Sequence, residues 1–277
     1  MTHDRSWYDE QYLPSIGMGD VRPIFESWRQ RAAATRAKLK FTPDIRYGTH
    51  PREVLDFYPA TSAPRGCVVF IHGGYWVEFS KIETCWVAKG FVDQGLSVAL
   101  INYPLCPEVT IGDIRVSCAK AFAHLYQSVL SDAERKAVVV TGHSAGGHLA
   151  AAHLVEDWAA HGLPENPITG VMSLSGVFDV EPLIHTSLNE DLRLTPESAK
   201  PLNLIATPLR AKAKAVLAVG EKESQEFHRQ SAELAKSWAS LSPNLMDLKS
   251  NNHFTIVESL AAPGATLNAL AVEMAQG

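Results

Sequence analysis

The sequence predicts an α/β fold, with a mostly parallel central sheet and helices on both faces. Three observations predict it. Short apolar runs at 67–71, 97–101, 137–140 and 216–219 have strand length, as expected of strands buried on both sides. Amphipathic stretches separate them, and strands alternating with helices imply crossover connections and parallel pairing. The stretch 180–207 breaks this rhythm with Pro182, Pro196 and Pro201, and reads as an insertion of short helices above the sheet.

In chain order, residues 1–20 mix polar and aromatic side chains with Pro14, Gly17 and Gly19 and are expected to form an arm. Residues 21–40 are rich in Ala, Arg and Lys, with Phe25 and Trp28 on one helical face, so a helix ending before Pro43 is expected. Strands follow at 53–58 and 67–71, a helix at 81–94 closed by Gly95, a strand at 97–101 and a helix at 112–130. The strand at 137–140 leads to a helix at 145–160 and a strand at 170–174. The strand at 216–219 precedes a helix at 225–240, the strand at 245–248 and a helical tail from Thr255. The organisation expected is an N-terminal arm and helix at 1–40, contributing to a cap, and a main domain at 41–277. Ligands of open α/β sheets bind outside the carboxyl ends of the strands, so the insertion at 180–207 is placed to form a lid.

Composition narrows the function classes. The 277 residues are 46% hydrophobic and 20% charged, with net charge -5, so neither phosphate backbones nor anionic lipid is attracted. The expected partner is a small molecule, with a homodimer admitted. Cys67, Cys85, Cys106 and Cys118 form no C-x-x-C pair and are expected as free thiols in a reducing compartment. The first residues, Met1 to Glu10, contain no apolar signal core, and no run has membrane-spanning length. The expected location is cytoplasmic.

Gly142-His143-Ser144-Ala145-Gly146 fits G-x-S-x-G between an apolar run and a predicted helix. That strand–turn–helix context suits a nucleophile elbow, with Ser144 raised at a helix N-terminus. His72-Gly73-Gly74-Tyr75-Trp76 follows an earlier apolar run. Acyl transfer passes through an oxyanion that needs preorganised N–H donors, and Gly74, Tyr75 and Ala145 are the expected donors. His72 is expected to buttress this loop. Tyr75 and Trp76 are expected as a wall stacking an aromatic or planar acyl group, and His143 as a residue that shapes the pocket.

The general base should be a histidine after the last strand, where His253 stands alone beyond His228. The acid should follow the strand at 216–219, where Glu221, Glu223 and Glu226 compete. Glu223 is the expected partner of His253, Glu221 the second choice, and Glu226 belongs to the following helix. His148 is expected to pack, and His50 to occupy a turn before Pro51. No metal site and no cofactor are expected. Together these motifs make the fold class that of an α/β-hydrolase.

His72-Gly73-Gly74-Tyr75-Trp76 resembles the HGG-x-W signature of the serine-dependent kynurenine formamidases (arylformamidases), relatives of the hormone-sensitive-lipase branch. Gly142 to Leu149 is similar to that family's elbow. Ser175 to Leu183 and Glu223 to Phe227 are similar to two further stretches, the second carrying the family's acid. The family usually has aspartate where Glu223 stands. The resemblance implies Ser144, Glu223 and His253 as a catalytic triad, acting on an N-formyl or short acyl amide of an aromatic amine. A carboxylesterase acting on aryl or short-chain esters is the alternative.

Overall fold

The computed structural model describes residues 3–276. Its strands are β1 (Thr42–Arg46), β2 (Val54–Tyr58), β3 (Gly66–Ile71), β4 (Leu96–Ile101), β5 (Val138–His143), β6 (Gly170–Leu174), β7 (Lys214–Gly220) and β8 (Asn244–Leu248). They form one sheet in the order β1-β2-β4-β3-β5-β6-β7-β8. β1 pairs antiparallel with β2, and β2 with β4; all other pairs are parallel. This is the α/β-hydrolase fold. The sheet's two faces divide the core: Cys67, Val69 and Ile71 of β3 pack on one side, Val68 and Phe70 on the other. A strand with core on both sides leaves no position for a polar side chain, which is why β3 reads as an unbroken apolar run.

β1 was not expected. Its side chains are mostly exposed and Asp44 has a φ of 52°, so it carries neither an apolar run nor clean alternation. The helix Arg22–Lys38 lies where expected, burying Trp28, Ala32 and Thr35. Arg36 reaches Asp56 at 2.8 Å, and the buried Lys81 reaches the same carboxylate at 2.6 Å. The buried Asp56 and Lys81 therefore each have an oppositely charged partner, which offsets the cost of taking them out of water.

Three expected elements differ. Within 1–20, Arg5–Tyr12 is a helix, whose N-cap Asp4 accepts the Trp7 N–H; its mixed polar and aromatic surface hides the period. The 81–94 segment forms two short 3-10 helices, Cys85–Gly90 and Val92–Gln94, pressed so close to the C-terminal helices that a Cβ on Gly90 would lie 2.7 Å from the Ala261 carbonyl oxygen. The helix expected at 145–160 ends at Ala152. Beyond it, Trp158 turns back and donates its indole N–H to the His153 carbonyl.

The stretch 180–207 contains the short helical pieces Glu181–His185, Asn189–Leu192, Pro196–Ala199 and Lys200–Leu202. His148 donates its Nε2–H to the Leu202 carbonyl at 3.0 Å, fastening this stretch to the helix Ala145–Ala152. All four cysteines are free and buried. Among the described residues, no helix is long and apolar enough to cross a membrane.

Candidate active site

The loops leaving β3, β5, β6, β7 and β8 at their carboxyl ends converge on one region. Ser144 follows β5 with φ 57° and ψ -120°, a conformation costing about 1–3 kcal/mol for a non-glycine residue. Local packing imposes it. A Cβ on Gly142 would lie 2.1 Å from the Gly146 carbonyl oxygen, and one on Gly146 would lie 2.1 Å from the Ile71 carbonyl oxygen. Only glycine on each side lets the chain turn this sharply against β3. The Ser144 N–H donates to the Leu174 carbonyl at 2.8 Å, so β6 also holds the turn.

His253, on the loop after β8, is buried and accompanied by Glu223, on the loop after β7. The His253 Nδ1–H donates to Glu223 Oε2 at 2.7 Å. The other carboxylate oxygen accepts from the Ser175 hydroxyl and the Gly220 N–H, each at 2.6 Å. Three donors thus fix one carboxylate, and with Nδ1 engaged the ring's other nitrogen, Nε2, is available for chemistry. The competing glutamates lie elsewhere. Glu221 is exposed, pairs with Lys249 at 3.0 Å and accepts the Ser250 N–H. Glu226 accepts the Tyr12 hydroxyl and pairs with Arg229.

Gly73 and Gly74 lie beside the serine. A Cβ on Gly73 would lie 3.2 Å from the Ser144 Cβ, and Gly74, at φ 99°, leaves no room for one beside the Glu78 carbonyl oxygen 2.3 Å away. Tyr75 and Trp76 continue in left-handed conformations, with φ 46° and 60°. His72 supports the loop from beneath. It is buried, stacks on Tyr103 at 4.1 Å and donates its Nδ1–H to the Gly73 carbonyl at 2.8 Å. Burial pushes its pKa down to about 3, so it is a neutral strut. Tyr103 donates its hydroxyl to the His72 carbonyl at 2.8 Å.

Ser144, Gly73, Gly74, Tyr75, His143 and His253 share a cavity of about 340 Å³. His143 also donates its Nε2–H to the His253 carbonyl at 2.6 Å, and burial pushes its pKa down to about 3. Trp76 corrects an expectation: it does not line the cavity. It is fully buried and sits edge-on to His148 at 5.5 Å, because the left-handed backbone at Tyr75 and Trp76 turns its indole into the core. Tyr75 does line the cavity, and the rest of the aromatic wall comes from Phe25, Trp28, Phe79 and Phe254. The helical spacing of Phe25 and Trp28 was the one sequence signal for that wall.

Segments distant in the chain close over this region. Leu13, Pro14, Ser15 and Val21 line the same cavity. Tyr75 donates its hydroxyl to the Tyr12 carbonyl, and Ser224 donates to the Gln11 carbonyl at 2.5 Å. Asp9 accepts from the Ser187 N–H at 2.7 Å, and Arg5 pairs with Glu190 at 2.7 Å. The N-terminal helix is thereby tied to the loop after β3, the loop after β7 and the 180–207 stretch.

This geometry has counterparts among known proteins. Kynurenine formamidase of Danio rerio is 31% identical over 278 residues, spanning 95% of this chain and 92% of that protein. The chain belongs to the kynurenine formamidase family. The Salmo salar kynurenine formamidase is likewise 31% identical, over 98% of this chain and 95% of that protein. The family model described as BD-FAE matches residues 55–234. A solved structure from Silicibacter sp. TM1040, described as a candidate thioesterase, superposes with a TM-score of 0.86 at 29% identity, covering 94% of this chain and 97% of that one. As a kynurenine formamidase family member with this fold, the chain is a hydrolase.

Proposed function

We propose that the chain hydrolyses an N-formyl or short acyl amide of an aromatic amine, of the N-formylkynurenine type, through a Ser144 acyl-enzyme. The observation that carries this is the fixed His253–Glu223 pair beside Ser144 in an aromatic-walled cavity. Family membership supports it through the relatives named kynurenine formamidase.

In this reading His253 Nε2 takes the Ser144 proton as Oγ attacks the acyl carbon, and Glu223 holds the tautomer and stabilises the imidazolium. The N–H groups of Gly74, Tyr75 and Ala145 receive the oxyanion. His253 then returns the proton to the leaving nitrogen, and the aromatic amine departs. Water, deprotonated by His253, attacks the acyl carbon and releases formate or a short acid. A formyl group needs little room, so the glycine side of the cavity can be narrow while the aromatic wall takes the amine. Residues 1–40 and 180–207 act as the cap over this site, the first through Leu13, Pro14 and Phe25 in the cavity wall.

The test compares kcat/KM for N-formylkynurenine and p-nitrophenyl acetate in the intact protein and in Ser144→Ala. Turnover of the formamide that disappears in Ser144→Ala is expected. Full activity in Ser144→Ala would refute the serine mechanism. Ester turnover with none of the formamide would replace this reading with an esterase, since the same residues expel an alkoxide or phenolate with less help from a proton.

A further inference from the structure

Tyr103 follows β4 and reaches beneath the glycine loop that leaves β3. It is fully buried and stacks on His72, with ring planes 6° apart. Its hydroxyl lies 2.8 Å from the His72 carbonyl and 3.3 Å from the Gly73 carbonyl, and donates between them. The Gly73 carbonyl also accepts the His72 Nδ1–H at 2.8 Å. The carbonyl of the Gly73–Gly74 peptide is therefore held by two donors from one buried pair.

That placement decides where the N–H of the same peptide goes. The Gly73–Gly74 bond is trans, since among the described residues the cis bond is Cys106–Pro107. In a trans peptide the C=O and N–H point in opposite directions. Gly73, Gly74 and Ser144 line the cavity, whereas His72 and Tyr103 do not. With the carbonyl drawn to the buried pair, the Gly74 N–H is turned away from it, to the cavity side. Among the described residues it donates to no backbone carbonyl. Two successive glycines allow this peptide to turn over if nothing holds it, and a turned peptide would present a carbonyl oxygen where the reaction needs a donor.

Tyr103 is itself anchored. Arg52 donates its Nε–H to the Tyr103 carbonyl at 2.8 Å and an Nη2–H to the Phe79 carbonyl at 2.6 Å. One guanidinium thus joins the Tyr103 support to the far end of the glycine loop.

We infer that Tyr103 is a positioning residue for the oxyanion site: its hydroxyl sets the orientation of the Gly73–Gly74 peptide and so aims the Gly74 N–H at the oxyanion. This rests on the hydrolase site proposed above, with Gly74 as one of its donors.

The test compares Tyr103→Phe, which keeps the stacked ring, with Tyr47→Phe, which removes the hydroxyl donated to the neighbouring Asn102 carbonyl at 2.5 Å. Each variant is measured for its unfolding midpoint, for kcat and KM on phenyl acetate across pH, and for inhibition by benzyl trifluoromethyl ketone and benzyl methyl ketone. Ser144 Oγ adds to the fluorinated ketone and passes its proton to His253, so the ketone oxygen becomes an oxyanion. The methyl ketone stays uncharged and only fills the cavity. In Tyr103→Phe, kcat is expected to fall about tenfold and the fluorinated ketone to bind about tenfold more weakly, because an inhibitor carrying the oxyanion follows the transition state. KM, both limbs of the pH profile and inhibition by the methyl ketone should each stay within about twofold, as for groups that meet no oxyanion. Tyr47→Phe should lower the unfolding midpoint and leave the ratio of the two ketones unchanged. An unchanged ratio in Tyr103→Phe, or the same change in Tyr47→Phe, overturns the inference while the serine reaction stands. A fluorinated ketone that binds the intact protein and Ser144→Ala equally would overturn the serine reaction, and this inference with it.

Discussion

The imidazole of His143 donates its Nε2–H to the backbone carbonyl of His253 across 2.6 Å. One residue before Ser144 in the chain therefore holds the loop of the proposed general base. His143 does this as a neutral ring, since burial pushes its pKa down to about 3. Replacing it by alanine removes the tether and leaves a buried carbonyl unpaired, at a cost of about 1–3 kcal/mol. In His143→Ala we expect kcat to fall about tenfold or more, with the acidic limb of the pH–rate profile unmoved. An acidic limb that shifts with this substitution would mean His143 itself titrates in catalysis.

Glu223 and Glu221 stand two positions apart and have opposite surroundings. Glu223 holds His253 at 2.7 Å in a buried site, whereas Glu221 reaches Lys249 on the surface. Glu223→Gln keeps the shape but favours the wrong imidazole tautomer, and such a loss amounts to about 10³–10⁴ in kcat. Glu221→Gln is expected to stay within about twofold. Steady-state kinetics on an aryl ester at constant pH distinguish them, and equal effects would refute the assignment of Glu223.

Buried neutral histidines make the fold sensitive to acid. His72 and His143 are held at about 3, and His148 and His153 at about 4, in each case mainly by burial. Their ordinary value is 6.5, so below that pH the unfolded chain binds protons that the native protein refuses. Stability contributed by these groups is full above pH 6.5 and is lost as pH falls toward 4. Each loses about 2 kcal/mol between pH 6.5 and pH 5, and four such losses approach the whole stability of an ordinary domain. Acid unfolding near pH 5 is expected by circular dichroism at fixed ionic strength. In His153→Gln, which removes one such group, stability should fall less steeply with acid. A stability unchanged from pH 7 to pH 5 would contradict the argument.

The fold was legible because strands covered on both faces leave an apolar signature, the serine loop because its motif is local in sequence, and His253 because it stands alone after the last strand. What escaped depends on tertiary placement. β1 is an exposed edge with no apolar pattern. The competition among Glu221, Glu223 and Glu226 could be ranked but not decided, since a single turn directs three neighbouring carboxylates to three different partners. The ring of Phe254 reaches the wall formed by Phe25 only because the C-terminal loops pack beneath the helix Arg22–Lys38, and nothing local records that.

Gly74 sets the position of the loop after β3. At φ 99°, with the Glu78 carbonyl oxygen 2.3 Å from where a Cβ would stand, alanine must move the backbone. In Gly74→Ala a kcat loss of about 10²-fold or more is expected if the loop supplies the oxyanion donors, with unfolding made easier by about 1–3 kcal/mol. Activity within a few-fold of the intact protein would place the oxyanion donors elsewhere.

Trp76, which the motif suggested as cavity wall, lies in the core, whereas Phe25 lines the cavity, and paired substitutions separate packing from recognition. Trp76 is fully buried against His148, so Trp76→Ala should cost about 3–5 kcal/mol of stability, seen as a lower denaturant midpoint. Any folded fraction should keep its relative preference among aryl and alkyl acetates, because the indole does not reach the cavity. Phe25 is partly exposed and lines that cavity. Phe25→Ala should leave most of the stability and raise KM for aryl acetates several-fold, with a smaller effect on ethyl acetate. If Trp76→Ala altered the aryl preference while Phe25→Ala did not, the cavity wall would have to be reassigned to the indole.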